Sequence, residues 1–154
     1  VWPANYNMDG QLVLAGLKAD LESLVDTFKA AGAKRALVLD MSVASHCELL
    51  QSAVENLKPY LFEFLNDEFL DVVSNVSAEV YNTKDEAIEF LSSQLISPVK
   101  YKQSIKAHDS KVDLYIEFGN GAVLKGLNKK SSEKPTLNVS DMKTVNETIE
   151  ALND

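Results

Sequence analysis

Two short segments carry side chains suited to proton transfer. Ser42-Val43-Ala44-Ser45-His46-Cys47 places a histidine just past the apolar run Ala36-Leu37-Val38-Leu39, and Gln94-Leu95-Ile96-Ser97-Pro98-Val99 places a glutamine where a proline forces the backbone to turn. Imidazole is the side chain whose ordinary pKa lets it take up and return a proton near neutral pH. A lone histidine is by default a structural residue, but loops past the C-terminal ends of strands in open α/β sheets are where sites gather. Ser45 and Cys47 flank His46, yet adjacent residues rarely aim reactive atoms at each other, and Cys47 reads as a small buried hydrophobe. A base of this kind serves a nucleophile, and one common solution is a serine on a Gly-x-Ser-x-Gly elbow. The six glycines, at positions 10, 16, 32, 119, 121 and 126, never bracket a serine at that spacing. The base has no matching nucleophile in the sequence.

Other features carry less. Gly119-Asn120-Gly121 after a strand could suggest a phosphate loop, but a single Gly-x-Gly reads first as a tight turn. His46 and His108 are not at metal-ligand spacing and no Cys/His/Asp cluster joins them; His108 is expected on a solvated helix end. Asp40, ending an apolar run, lacks the acidic pair near the first strand that a phosphoacceptor site would need. Lys34, Arg35, Lys129 and Lys130 are by default solvated surface charges.

These residues need a scaffold, and the periodicities give one. Trp2 to Asn7 and Gln11 to Ala15 read as two strands joined through Met8-Asp9-Gly10, with its Asp-Gly turn signal. Leu17, Leu21, Leu24, Val25 and Phe28 form one helical face, with Gly32 where a C-cap glycine belongs. Ala36 to Leu39 is expected to be a buried strand. Leu49, Leu50, Ala53, Val54, Leu57 and Leu61 form a second helical face, and Pro59 inside it is expected to break or kink that helix near Lys58. A short strand over Asp71 to Ser74 precedes a polar loop to Lys84. A helix through Ala87, Ile88, Leu91 and Leu95 follows, then another opened by Pro98 and running to about His108. A strand over Val112 to Glu117, a short helix, a strand near Leu137 to Val139 and a helix from about Asp141 complete the chain. Alternating strands and helices point to an α/β layer architecture.

Bulk properties agree with a folded domain. The 154 residues are 45% hydrophobic and 25% charged, ordinary globular composition. No apolar run approaches the roughly 18 residues of a membrane span, and no secretory signal is visible. A net charge of −8 argues against nonspecific nucleic-acid binding, which draws its affinity from phosphate neutralisation. The single cysteine excludes an internal disulfide and suits a reducing cytosol; a cytoplasmic location is expected. The start at Val1 is consistent with a truncated or processed chain.

Taken in order, these segments resemble the C-terminal half of the malonyl-CoA:acyl carrier protein transacylases. Asn5-Tyr6-Asn7 with Gln11-Leu12-Val13-Leu14-Ala15-Gly16 is similar to the family's asparagine-rich strand and the run after it. Ala30 to Leu37 is similar to the segment before the histidine strand, and the histidine and glutamine segments follow at the expected separation. Val112 to Leu127 resembles the family's strand, Gly-Pro-Gly turn and helix, with Asn120 in place of the proline.

The resemblance implies a partial α/β-hydrolase-like acyltransferase lobe over residues 41–154, with part of a ferredoxin-like small lobe over residues 1–40. It implies transfer of malonyl from coenzyme A to a serine, then to the phosphopantetheine thiol of acyl carrier protein. His46 would be the base and the main-chain carbonyl of Gln94 its orienting partner, at ordinary hydrogen-bond distance. Asn5, Asn7, Gln11 and Ser45 would lie on the substrate side. Lys34, Arg35, Lys129 and Lys130 would meet the acidic carrier. No metal or redox cofactor is implied. The elbow serine, the malonyl-binding arginine and the oxyanion loop belong to the family's N-terminal half and have no counterpart here, so the isolated chain is expected to be inactive and to associate with that half or with itself. The competing readings are a non-catalytic module that only binds carrier protein or another chain, and a hydrolase using the same base.

Overall fold

The computed structural model describes residues 1–153; Asp154, the last residue of the expected second lobe, lies outside them. The chain opens with an antiparallel hairpin, β1 (Trp2–Met8) and β2 (Gln11–Ala15). Gly10 turns it at φ 81, a conformation that costs glycine little and other residues more. Helix α1 (Lys18–Ala30) follows. It ends in a Schellman arrangement, with Ala33 N–H donating to the Phe28 carbonyl at 2.9 Å and Gly32 N–H to Lys29 at 3.0 Å, and with Gly32 at φ 97.

The expected strand at Ala36 to Leu39 does not form. The segment is irregular, and Leu37, Val38 and Leu39 stand 46%, 36% and 53% exposed. Its sequence favours a strand, but a strand exists only where a neighbour takes its N–H and C=O groups. Among the described residues no strand lies beside it, and the Leu39 carbonyl accepts instead from Met41 N–H at 3.0 Å, a local turn.

Helix α2 (Gln51–Phe64) follows a single 3₁₀ turn at Glu48–Leu50 and runs unbroken through Pro59. The expected break is absent. Proline removes one hydrogen bond, to the Glu55 carbonyl, and both residues are exposed, where water can serve the freed oxygen. Val54 is the helix's one buried residue, and Tyr60, Phe62 and Phe64 face outward.

A second antiparallel pair joins β3 (Glu68–Val73) to β4 (Val80–Thr83). Strand β4 falls in what the sequence suggests is a polar loop. Its anchor is Tyr81, 5% exposed, whose ring meets Phe69 edge-on at 6.1 Å and Phe90 of the next helix at 5.3 Å. That helix, α3 (Lys84–Gln94), starts at Thr83, whose Oγ accepts from the Glu86 N–H. Glu86 stays ionised below the ordinary carboxylate range, chiefly because the Thr83 hydroxyl donates to it, and an acid in the first turn suits the helix dipole. Ala87, Ile88 and Ser92 are buried. Helix α4 (Tyr101–His108) begins three residues after Pro98 rather than at it.

The last unit is parallel: β5 (Tyr115–Phe118), helix α5 (Val123–Asn128) and β6 (Thr136–Val139), with helix α6 (Met142–Asn153) after it. Asn128, 2% exposed, accepts from Tyr101 Oη at 2.7 Å and donates to Thr136 Oγ at 3.1 Å, tying α4 to the parallel pair. The described residues thus form an α/β fold whose strands lie in three separate two-stranded sheets. None of the described helices is long and apolar enough to cross a membrane.

Candidate active site

Strand β1 holds both chemistry-bearing segments. On one side Cys47, fully buried, packs with Ala4 and Ala15 of the hairpin, with Trp2, Val13 and Ala44 around them. This fixes the backbone next to His46. On the other side Val99 N–H donates to the Ala4 carbonyl at 2.8 Å, and Tyr6 N–H donates to the Val99 carbonyl at 2.9 Å. Asn5 and Val99 thereby form a parallel bridge that fixes the end of the turn leaving Gln94. Two segments 48 residues apart are pinned to neighbouring atoms of one strand.

The result is a direct contact. His46 Nδ1 lies 2.8 Å from the main-chain oxygen of Gln94. A carbonyl only accepts, so Nδ1 carries the proton and Nε2 presents its lone pair. Nε2 is therefore the basic atom of this ring. His46 sits at φ 60, the left-handed region that costs a non-glycine residue free energy and is tolerated where the surroundings over-determine it. Here the buried Cys47 and the Gln94 contact hold it from both sides. A neutral carbonyl does not offset imidazolium charge as a carboxylate would, so its main effect is to fix the ring's tautomer and direction.

The Gln94 side chain is also held. Its Oε1 accepts from Asn75 Nδ2 at 3.0 Å, and the Asn75 carbonyl accepts from Lys100 N–H at 2.8 Å. Asn75 thus grips both ends of the Gln94-to-Lys100 turn. The sequence reading missed it; an Asn just after a short strand signals a turn, not a specific partner. Asn75 leaves a tight loop in which Ser74 Oγ accepts from the N–H groups of Val76 and Ser77, with Ala78 at φ 67. His108 closes that loop. Instead of lying on a solvated helix end it is buried, its Nε2 donating to the Ala78 carbonyl at 3.0 Å.

The remaining candidates fall as follows. Asn5 and Asn7 are half-buried on β1, Ser45 is half-buried beside the ring, and Gln11 is exposed where the hairpin turns. Lys34, Arg35, Lys129 and Lys130 are exposed, and none is in an ion pair among the described residues. Gly119 and Gly121 take φ 127 and 102 in a turn whose following helix start is already filled. The Glu117 carboxylate accepts from the N–H groups of Leu124 and Lys125 at 3.0 and 2.9 Å. That contact depresses the carboxyl's pKa, with the Lys125 N–H first among the causes, and leaves no anion cradle. No group of three His, Cys, Asp or Glu side chains among the described residues could hold a metal ion.

No protein-family model matches the chain. Curated relatives do. A malonyl CoA-acyl carrier protein transacylase from Bacillus subtilis is 40% identical over 152 residues, 97% of this chain and 48% of that protein. One from Haemophilus influenzae is 36% identical over 151 residues, 96% of this chain and 48% of that protein. Among solved structures, the malonyl-CoA:acyl carrier protein transacylase from Helicobacter pylori superposes with a TM-score of 0.96 at 45% identity, covering 99% of this chain and 50% of that one. A malonyl-transacylase solved in complex with a type II PKS acyl-carrier protein gives 0.90 at 34% identity, covering 97% and 49%. The chain spans about half the length of the curated relatives it matches. By sequence and by fold, the chain matches about half of a malonyl CoA-acyl carrier protein transacylase.

Proposed function

We propose that this chain is the C-terminal half of a malonyl-CoA:acyl carrier protein transacylase and supplies that enzyme's acid–base residue. The observation that supports it is the 2.8 Å contact between His46 Nδ1 and the Gln94 carbonyl, made in a chain whose relatives carry that name. With Nδ1 as donor, Nε2 takes the proton from a serine hydroxyl as its oxygen attacks the malonyl thioester carbonyl. The proton then goes to the departing coenzyme A sulfur. In the second half-reaction Nε2 takes a proton from the carrier's phosphopantetheine thiol. The thiolate attacks the serine ester, and the serine oxygen leaves with the proton. Each cycle returns His46 to its starting state.

In this reading residues 1–40 belong to a ferredoxin-like small lobe and residues 41–154 to the closing part of a hydrolase-like lobe. Asn5, Asn7, Gln11 and Ser45 face the substrate, and Lys34, Arg35, Lys129 and Lys130 receive the acidic carrier in the cytoplasm. The enzyme needs no metal or redox cofactor. The serine comes from the family's other half.

A second reading is a non-catalytic module that binds carrier protein or another chain. The experiment measures malonyl transfer from malonyl-CoA to carrier protein, by the chain alone and by the chain completed with the N-terminal half of the family. The chain alone gives no covalent malonyl adduct by intact-mass spectrometry; the completed enzyme transfers. His46→Ala lowers that transfer by at least about a hundredfold, the low end for losing a positioned acid–base group. Gln94→Ala lowers it far less, because the contact comes from main chain. An adduct on the chain alone, or an active His46→Ala enzyme, sinks the acyl-transfer reading.

A further inference from the structure

We propose that Asn75 is a positioning residue for the His46 base, acting through the Gln94 side chain. The proposal rests on the reading of His46 as the base and adds a residue to it. Gln94 is the last residue of α3. Beyond it the chain turns through Ser97-Pro98 to Val99, so the peptide that offers its carbonyl to His46 sits where a helix ends. The last carbonyls of a helix lack intrahelical donors and are the part most free to tilt. Direction at that oxygen must therefore come from elsewhere.

Asn75 supplies it with two bonds of its own. Its Nδ2 donates to Gln94 Oε1 at 3.0 Å, before the turn, and its main-chain oxygen accepts from Lys100 N–H at 2.8 Å, after it. A residue that grips both ends of a turn sets the orientation of the peptides between. Asn75 itself is steadied from behind. Ser74, 2% exposed, takes the N–H groups of Val76 and Ser77 on its hydroxyl, and its main-chain oxygen accepts from Ala78 N–H at 2.8 Å. The buried His108 holds the Ala78 carbonyl. A continuous set of hydrogen bonds and peptide links thus runs from helix α4 through the 74–79 loop to Gln94 and then to the base. The link between the two side-chain amides is a single bond, the Asn75 Nδ2 donor meeting the Gln94 Oε1 acceptor.

The consequence is a definite chemical state at a ring that Asn75 does not touch. With the clamp intact, the Gln94 carbonyl stays aimed at Nδ1 and neutral His46 is held as its Nδ1–H form. Without it the carbonyl wanders and the ring is free to place its proton on Nε2, the atom that must stay bare.

The test reads that proton directly. The chain has only two histidines, so ring-nitrogen NMR of the ¹⁵N-histidine-labelled chain at about pH 8, where an ordinary histidine is neutral, shows two ring systems. The wild type has His46 as the Nδ1–H form. In Asn75→Ala the Nδ1–H to Nε2–H ratio at His46 falls about fivefold, the loss of one ordinary neutral hydrogen bond, while the His108 signals stay where they were. Gln94→Ala removes the same bond from its other partner and gives the same change, so it carries the test if Asn75→Ala does not fold. The double variant shifts no further than either single one. An unchanged His46 ratio in a folded variant overturns the proposal. So does an equal disturbance of His46 and His108, which marks a collapsed loop. No activity is measured, so a failure here leaves the acyl-transfer reading standing, and the loss of that reading leaves this one open to the same measurement.

Discussion

His108 Nε2 donates to the Ala78 carbonyl at 3.0 Å, joining a helix-end imidazole to a residue at positive φ thirty positions earlier. Ala78 cannot hold φ 67 without compensation. Part of that compensation is the hydrogen bond from His108, and part is the Ser74 turn on its other side.

The first prediction follows. His108→Ala leaves the Ala78 carbonyl without its donor in a buried place, which costs about 1–3 kcal/mol. His108→Gln keeps an N–H donor of similar reach and loses less. Urea unfolding of the two variants against wild type checks the order. Equal loss in both means that the ring's packing, not its hydrogen bond, holds the loop.

His46 also sits in the left-handed region, at φ 60, and here the strain accompanies the proposed chemistry. His46→Ala and His46→Gly both lose the imidazole and its bond to Gln94, so both abolish the base. They differ in the backbone: alanine must still take the strained φ, whereas glycine takes it freely. His46→Gly is therefore more stable than His46→Ala by about 1 kcal/mol. The urea midpoints of the two proteins decide it. Coincident midpoints mean that the loop relaxes out of this φ once the ring is gone.

Much of the site was legible because its parts are local. Gly10 and Gly32 announced a turn and a helix end, the apolar face over Ala87 to Leu95 announced α3, and Pro98 after Gln94 announced a change of direction. The pairing of His46 with Gln94 came from family resemblance, since no periodicity relates residues 48 apart. What stayed hidden was tertiary. Strand β4 exists because Tyr81 finds Phe69 and Phe90, His108 is buried because the 74–79 loop reaches it, and Asn75 matters through two bonds formed only when distant turns meet. The run Ala36 to Leu39 shows the converse. It has every local mark of a strand, and no described strand lies beside it to complete one.

That run supplies the third prediction. Leu37, Leu39, Met41 and Val43 stand 46%, 53%, 67% and 52% exposed along one short stretch, with main-chain groups that no described strand takes. Apolar contiguity and an open edge together favour association. The chain should self-associate at micromolar concentrations, or bind the N-terminal half of the family when it is present. Light scattering should show a mass above the 17.0 kDa of one chain, and Leu37→Lys with Leu39→Lys should return it toward that value. A monodisperse monomer over a wide concentration range rules this out.

The last prediction concerns the hairpin that anchors the site. At its tip Asp9 meets two lysines of α4, with Oδ1 2.9 Å from Lys102 Nζ and Oδ2 2.9 Å from Lys106 Nζ. The Lys102 hydrogen bond, and then that of Lys106, pull its pKa from 3.8 down to about 2. The sign of the linkage is fixed by that direction. Between about pH 2 and 3.8 the unfolded chain binds a proton that the folded chain does not, so stability rises with pH through this window. The contribution is fully present above about pH 4 and is lost as the pH falls through about 2. Asp9 is solvent-exposed, so the pair is screened and its worth shrinks with added salt. Other carboxyls are also held below their ordinary range, Glu117 chiefly by the Lys125 N–H and Asp141 chiefly by the Thr144 N–H, so the comparison is between wild type and Asp9→Asn. Thermal melts from pH 2 to pH 5 should show the two proteins converging at the acid end and wild type the more stable at the upper end. In about 1 M salt, where the screening length is roughly 3 Å, the gap should narrow. A gap that persists unchanged at the acid end, or that salt does not touch, means the hairpin tip is held by packing on α4 and not by its charges.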